Sequence, residues 1–455
     1  ILDGVAISSR DFNTINPSDI ESLSVLKDAS STSIYGARAA NGVIVIERQQ
    51  VTDSKPRLSY NFVPELSIPD LSSMNLCNAA QKLELERLAG LYTTENGSMD
   101  EAYAYKLQNV RRGVNTDWIR APLRVPFSHT HSLSLSGRAQ KIDYRASLRF
   151  SDKYGVMKGD NRRNYTLNFS IGYHMRDKLT LRYTANYSLT DAKESPYGDF
   201  SAYTRLNPYD TPFDEYGNLV KAFNFDPEDT STSGDGHQVN PLYNATLSSF
   251  ETTRDQTLRN TVDAKWYVTK DFFITGQFNV DIKTNQYDRY TSPEDATYLG
   301  ETDPAKRGEY RLGTGKAFNY DGKIVLNYGR NLDDRGTGFV VNAGADIQHT
   351  NTTTSYTTAI GFLKDDLSDI KYALGYSPSS LPSGTETLLA KVGFFASGNF
   401  YFRNRYFADI SYRTSGSSAY GSENRFAPMW SFGLGWNLHK EAFLERAKWI
   451  DVLRL

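Results

Sequence analysis

The sequence predicts an all-β wall of the membrane-barrel type, about twelve antiparallel strands, preceded by a small unit that mixes helix and strand. Three observations predict it. Apolar and polar residues alternate with period two through most of the 455 residues. The connections between the alternating runs are short and long by turns. No apolar stretch approaches the roughly 18 residues that a membrane-crossing helix needs, which leaves strands as the spanning element.

Composition narrows the function classes. Basic residues number 51 and acidic residues 53, a net charge of −2, so there is no electrostatic case for a nucleic-acid partner. Mean hydropathy is negative, which fits strands with a polar residue at every second position. Tyr (30) and Phe (24) are abundant, as expected where rings meet lipid headgroups. Cys77 is the single cysteine, so neither an intrachain disulfide nor a thiolate metal cluster can form.

The opening stretch 1–7 is a short apolar run that reads as a buried strand. Asn16 suits a helix N-cap, Pro17 the first helical position and Asp19 the place of a capping-box acid. Ile20, Leu23 and Leu26 recur at helical spacing, so a helix is expected through them. Gly36 and Gly42 bracket a second short helix or turn, and 43–46 reads as a buried strand.

From Arg57 onward alternation dominates. Tyr165, Leu167, Phe169, Ile171 and Tyr173 interleave with Thr166, Asn168, Ser170 and Gly172; after a turn, Leu179, Leu181, Tyr183, Ala185, Tyr187 and Leu189 interleave with Thr180, Arg182, Thr184, Asn186 and Ser188. The apolar set is expected to face lipid. Similar runs occupy 128–136, 142–150, 257–268, 272–283, 317–328, 339–348, 389–402, 406–413 and 429–438, with a weaker one at 57–63. Short connections fall at 137–141, 174–178, 269–271, 329–338 and 403–405. Longer ones fall at 64–127, 151–163, 190–256, 284–316, 349–388 and 414–428. Outer-membrane barrels have short periplasmic turns and longer extracellular loops, whereas a soluble sandwich has no reason to sort its loops this way.

Catalytic and metal chemistry finds little support. Gly313-Thr314-Gly315-Lys316-Ala317 has neither the earlier glycine nor the Ser/Thr of a phosphate loop and reads as a turn before a strand. His129 and His131 share one strand face without an acidic or thiolate partner nearby, and read as a solvated or lumen-facing pair. Asp226, Glu228, Asp229 and Asp235 could bind Ca²⁺ weakly, but their irregular spacing favours a solvated loop. No nucleophile–base or acid–base pair stands out. In 190–256, a connection far longer than the 12–15 residues usual without a function, Tyr197, Phe200, Tyr203, Tyr209, Phe213 and Tyr216 accompany Asn207, Asp210 and Asp214. Such rings could stack on a sugar or a partner protein, or fold the loop onto itself.

The first 46 residues also carry a family pattern: Asp3-Gly4, Asn16-Pro17, Asp19-Ile20-Glu21, Val25-Leu26-Lys27-Asp28, Tyr35-Gly36 and Asn41-Gly42-Val43-Ile44. In this order they closely resemble the C-terminal half of the plug in SusC/RagA-family TonB-dependent outer-membrane transporters. The resemblance continues through Thr116-Asp117-Trp118, Tyr144-Arg145-Ala146-Ser147-Leu148, Gly155-Val156-Met157-Lys158-Gly159, Asn207-Pro208-Tyr209, Asp214-Glu215-Tyr216-Gly217-Asn218 and the stretch from Arg425 to Trp436. It departs at 47–55, where the family more often has a Thr/Lys/Gly-rich exit from the plug.

The resemblance implies a plug at 1–50 and a barrel from 51 to 455, in a family whose barrels have about 22 strands. The chain is therefore expected to be part of a longer protein, with its signal peptide and TonB-contacting segment upstream. It further implies import of oligosaccharides or peptides across the bacterial outer membrane, a SusD-like lipoprotein lid, and ligand-biased release of the TonB-contacting segment. No catalytic residue, cofactor or metal is implied. The plug residues Asp3, Gly4, Asn16, Pro17, Lys27, Asp28, Tyr35, Gly36, Asn41 and Gly42 would serve structure and gating; Tyr197, Tyr203, Tyr209, Phe213 and Tyr216 would contact substrate or lid. A receptor for iron chelates or cobalamin, and a barrel that only anchors surface-binding loops, are the alternatives.

Overall fold

A computed structural model of the chain describes residues 12, 20–26, 42–48, 54–92, 98–175, 178–223, 238–421, 425–444 and 449–455. Within the first fifty residues it shows two strands, β1 (Ile20–Leu26) and β2 (Val43–Arg48), paired antiparallel with Leu26 opposite Val43 and Leu23 opposite Ile46. The helix expected through Ile20, Leu23 and Leu26 is therefore a strand. Leu23 and Val25 also alternate with Ser22 and Ser24, and pairing with the β-branched run of β2 decides between the two periods. Val43 and Ile46 are buried, as expected for that strand. Gly42 precedes it at φ +95, where a Cβ would sit 2.9 Å from the Leu26 carbonyl oxygen; a left-handed conformation and a close approach both call for glycine. The expected strand at 1–7 and the Asn16 cap lie outside the described residues, as do Asp226, Glu228, Asp229 and Asp235.

Twelve strands follow in one antiparallel meander: β3 (Arg57–Leu66), β4 (Phe127–Ala139), β5 (Ile142–Tyr154), β6 (Asn161–Met175), β7 (Leu179–Lys193), β10 (Phe250–Tyr267), β11 (Phe272–Thr291), β12 (Glu309–Asp333), β13 (Thr337–Ile360), β15 (Ser383–Phe402), β16 (Tyr406–Ser417) and β17 (Phe426–Trp436). Two short strands, β8 (Ala222–Phe223) and β9 (Gln238–Val239), form a hairpin of their own, and β14 (Gly375–Tyr376) adds to β13. Each expected run corresponds to one meander strand. Several strands continue well beyond their expected upper ends, so that 151–163, 284–316 and 349–388 shrink to connections at 155–160, 292–308 and 361–382. Alternation fades there because both faces of a strand above the lipid meet water; β-branched residues such as Thr352, Thr353 and Thr354 keep the chain extended without it. For the same reason the Gly313-Thr314-Gly315-Lys316 stretch is strand inside β12, not the expected turn.

The two faces of the wall are solvated the wrong way round for a water-soluble protein. Tyr60, Leu133, Leu148, Leu167, Tyr187, Leu258, Ile282 and Phe318 stand opposite one another across eight strands, forming an apolar row on the outside. One position along, Ser147, Asn168, Asn186, Arg259 and Asp281 form a polar row on the inside. Leu167 is 44% exposed, whereas inward-facing Thr166 is 5% exposed. Along β7 the outward apolar set runs from Leu179 to Leu189, about ten steps or roughly 26 Å of height at a tilt of about 40°, close to the ~25 Å apolar band of membrane barrels.

His129 and His131 face outward, not solvated or into the lumen as expected. His131 packs 4.9 Å from the Phe62 ring and stacks on Phe150, and its Nδ1 lies 2.7 Å from the Tyr60 hydroxyl; His129 is 5.1 Å from His131. The parity of β4 sets this: Leu133 and Leu135 are outward, so the odd residues above them are too.

Candidate functional site

The long connections of the wall gather at one end into a cap, and the inner face below it is polar. The first connection holds two helices, α1 (Ala79–Leu88) and α2 (Ser98–Arg111). A capping box starts α1: Asn78 Oδ1 accepts from the Gln81 backbone at 2.9 Å, and Gln81 Oε1 accepts from the Asn78 backbone at 3.0 Å. The third long connection begins with α3 (Phe200–Thr204) and ends with α4 (Pro241–Asn244).

Stretches that carry the family resemblance meet one another here. Thr116 N donates to Pro208 O at 2.8 Å, Thr116 Oγ1 to Asp210 O at 2.7 Å and Trp118 Nε1 to Asn207 O at 2.9 Å. Arg124 N donates to Val156 O at 2.9 Å and Lys158 N to Pro122 O at 2.8 Å. Three connections distant in sequence are thus clamped by backbone and side-chain bonds. Trp118, Tyr203 and Phe223 form one buried cluster, with Tyr197 and Met157 packed against it. Asn240, fully buried, donates to Pro212 O at 3.2 Å and Val220 O at 2.7 Å and caps α4 through Leu242 N.

A second cluster joins Leu83, Tyr92 and Tyr209 around the Glu86 carboxylate. Tyr209 Oη donates to both carboxylate oxygens at 2.9 and 3.0 Å, Tyr92 Oη donates to Oε2, and Lys82 and Lys106 lie at 3.3 and 3.7 Å. Burial pushes the Glu86 carboxyl up, but the Tyr92 hydroxyl, the Lys106 charge, the Tyr209 hydroxyl and Lys82 outweigh it and hold it below its ordinary value. The same burial and the facing carboxylate push the Tyr209 and Tyr92 hydroxyls far up, so both stay protonated donors.

The five candidate contact residues divide. Tyr203 and Tyr209 are 0% exposed; they hold the cap together and offer no ring to a ligand in this conformation. A long loop needs an apolar interior of its own once both ends are anchored, and these two rings supply it. Tyr197 is half-buried beneath Lys158, whose Nζ is 5.6 Å from its ring. Phe213 is exposed, and Tyr216 is 90% exposed at the tip of a tight turn. There Asp214 Oδ1 accepts from Tyr216 N at 2.9 Å and Asn218 N at 2.8 Å, Gly217 adopts φ +85, and Phe213 bridges Leu219. Of the plug residues only Gly42 lies among the described ones. Glu86 and Asn240 escaped the sequence reading, although Asn78 and Gln81 with Gly90 could have announced α1.

On the inner wall Arg259 donates to Asp281 through Nε and Nη2 at 2.7 and 2.8 Å, Asn279 reaches Asp321 at 3.2 Å, and Arg182 reaches Asp143 at 3.2 Å. Arg413 pairs with Asp346 at 2.7 Å. These charges neutralise one another, and between them stand hydroxyls and amides such as Ser147, Thr166, Thr184 and Asn186. Such a surface suits polar matter of low net charge.

Comparison with known proteins agrees with this geometry. Residues 1–43 match the TonB-dependent Receptor Plug Domain model. TonB-dependent receptor P26 of Formosa agariphila is 24% identical over 476 residues, covering 100% of this chain and 44% of that protein. TonB-dependent receptor SusC of Bacteroides thetaiotaomicron is 25% identical over 490 residues, covering 100% and 45%. The chain thus spans less than half the length of these relatives. The RagAB peptide transporter superposes with a TM-score of 0.81 at 22% identity over 100% of this chain and 52% of that one, which establishes the fold. In its plug match and its relatives the chain is similar to TonB-dependent receptors such as SusC, and it shares the barrel-wall fold of RagAB.

Proposed function

We propose that the complete protein imports polar oligomers, oligosaccharides or peptides, across the bacterial outer membrane with energy delivered through TonB. The observation that carries this is a plug-type sequence at 1–43 placed directly ahead of a wall that is apolar outside and polar inside. In this reading 1–50 is the end of the plug and 51–455 the first part of the barrel, with the cap outside the cell and the turns at 140–141, 268–271 and 403–405 in the periplasm. The self-paired inner wall supports a polar cargo of low net charge, and the structurally similar RagAB is a peptide transporter. A SusD-like lipoprotein would lie over the cap, and TonB would engage the plug outside the described residues. Neither a nucleophile nor an acid–base pair enters this scheme, so the protein would not be an enzyme.

The test is uptake by cells expressing the complete protein with and without TonB, offered labelled oligosaccharides, peptides and ferric chelates. TonB-dependent uptake of one of the first two is expected. Uptake of ferric chelates alone would favour the iron-receptor alternative, and no uptake despite surface binding would favour the anchored interaction protein. Topology has its own probe, because Cys77 is exposed in the cap. With any other cysteine replaced, a membrane-impermeant maleimide should label it on intact cells; a cysteine at Asn404 should stay unlabelled.

A further inference from the structure

A barrel's outer face is convex, yet this one carries a groove of about 620 Å³ across β5, β6, β7, β10 and β11. Its lining includes Arg163, Asp191, Lys193, Arg254 and Asp288. Register fixes its height. Asp152, Arg163, Asp191 and Arg254 stand opposite one another on adjacent strands, two residues above the outward Tyr165 and Leu189. Two residues are about 7 Å along a strand, which sets these charges just above the apolar band, at headgroup depth.

The acids of the groove are occupied. Asp152 accepts from Asn161 at 2.7 Å, Tyr154 at 3.0 Å and Arg163 Nε at 3.3 Å. Asp191 accepts from Arg254 Nε at 2.6 Å, and Asp288 from Tyr310 at 3.0 Å and Gln286 at 2.7 Å. The donors are not exhausted. Arg254 engages Asp191 through Nε, Arg163 engages Asp152 through Nε and also bonds the Tyr154 hydroxyl, and Lys193 has no ion pair among the described residues, so N–H donors remain on both forks. Surplus N–H donors on guanidinium forks are the complement of a phosphate.

We propose that this groove binds the phosphorylated headgroup of an outer-leaflet lipid, whose acyl chains lie down the wall over Leu167, Tyr187 and Leu258. The continuity of the groove with the lipid-facing rows below it selects a lipid over a soluble anion. The proposal rests on the outer-membrane reading above, but not on import.

The experiment uses the complete protein, purified and delipidated, with a diphosphorylated disaccharide lipid, its dephosphorylated form and inorganic phosphate as probes. At least tenfold tighter binding of the phosphorylated lipid is expected, with no displacement by millimolar phosphate. The double variant Arg163→Gln/Arg254→Gln should lose that preference while the barrel still shows heat-modifiable migration. Should it fail to assemble, Arg254→Lys, which keeps the charge but not the fork, should weaken the preference severalfold. Equal binding of the two lipid forms, equal binding by an assembled variant, or displacement by free phosphate (an anion site only) overturns the proposal. Failure of TonB-dependent uptake alongside retained lipid preference would remove the import reading and leave this one standing.

Discussion

Tyrosine behaves oppositely in the wall and in the cap. Tyr165 and Tyr183 stand exposed on the outside of the wall, while Tyr203 and Tyr209 are fully buried in the cap. Arg259 and Asp281 are buried on the inner wall, while Arg112 and Glu215 pair at 3.6 Å on the surface of the cap, where both side chains stay exposed. One chain thus follows two solvation rules. In the cap the hydrophobic effect collects rings inside and leaves most charges in water, the buried Glu86 being held by tyrosine hydroxyls and lysines. In the wall the apolar side chains belong to lipid, and charged groups on the lumen face pair with one another, as Arg259 does with Asp281 and Arg413 with Asp346.

The sharpest way to break that contrast is Tyr209→Ala. It removes a buried ring and strips Glu86 of one donor, and large-to-small changes of this size cost about 3–5 kcal/mol. The cap should open to protease within 194–249, with heat-modifiable barrel migration retained. Unchanged protease resistance would mean that the clamp at Thr116 and Trp118 suffices without the cluster.

Next in size is a charge on the lipid face. Leu167→Arg should cost about 2–4 kcal/mol in lipid, read as a lowered midpoint in denaturant titration of the complete protein in bilayers. Arginine at Tyr216, an exposed cap position, should change stability by no more than about 0.5 kcal/mol. Equal costs would remove the distinction between the two regions.

A smaller effect is acid sensitivity. The Glu86 carboxyl is held below its ordinary value, so its stabilisation is present above the unfolded value of about 4.3 and is lost as pH falls through the lower, folded one. The cap should therefore stay closed at pH 5 and above, and loosen only below about pH 4. In Glu86→Gln protease sensitivity should not change over that acid range; a transition as steep as in the parent would assign it to another carboxylate.

How much could be read beforehand follows from the same contrast. In the wall, lipid on one side and lumen on the other write a period of two into every strand, so Tyr165 through Leu189 declared strand, turn and facing at once. At Thr353 through Tyr356 both faces meet water, the period disappears and the sequence alone reads as loop. In the cap the decisive contacts are long-range: Thr116 finds Pro208, and Glu86 finds Tyr209, across distances in sequence that no local pattern encodes. Ile20, Leu23 and Leu26 show the limit of spacing itself, since three apolar residues satisfied a helical period until β2 supplied a partner.

The least visible change to stability is Tyr216→Ala, and it bears most directly on function. The side chain is 90% exposed, so its removal should shift stability by no more than about 0.5 kcal/mol. The turn beneath it does not depend on the ring: Asp214 accepts from the backbone of Tyr216 and Asn218, and the Asn218 side chain donates back to Asp214 at 3.1 Å. Among the described residues the ring packs against nothing, which leaves it open to whatever meets the cap from outside. If a lid protein or polar oligomer stacks there, losing the ring should weaken association by about 0.5–1.5 kcal/mol beyond lost area, a two- to tenfold change. On the import reading, the measurement is the affinity of the complete protein for a lid protein and for polar oligomers, with Asp214→Ala as the companion that loosens the turn but keeps the ring. A drop in both variants assigns recognition to a ring held in place by its turn. Unchanged affinity in Tyr216→Ala takes the tip out of the contact and leaves the half-buried Tyr197 and exposed Phe213 as the aromatic surface to test.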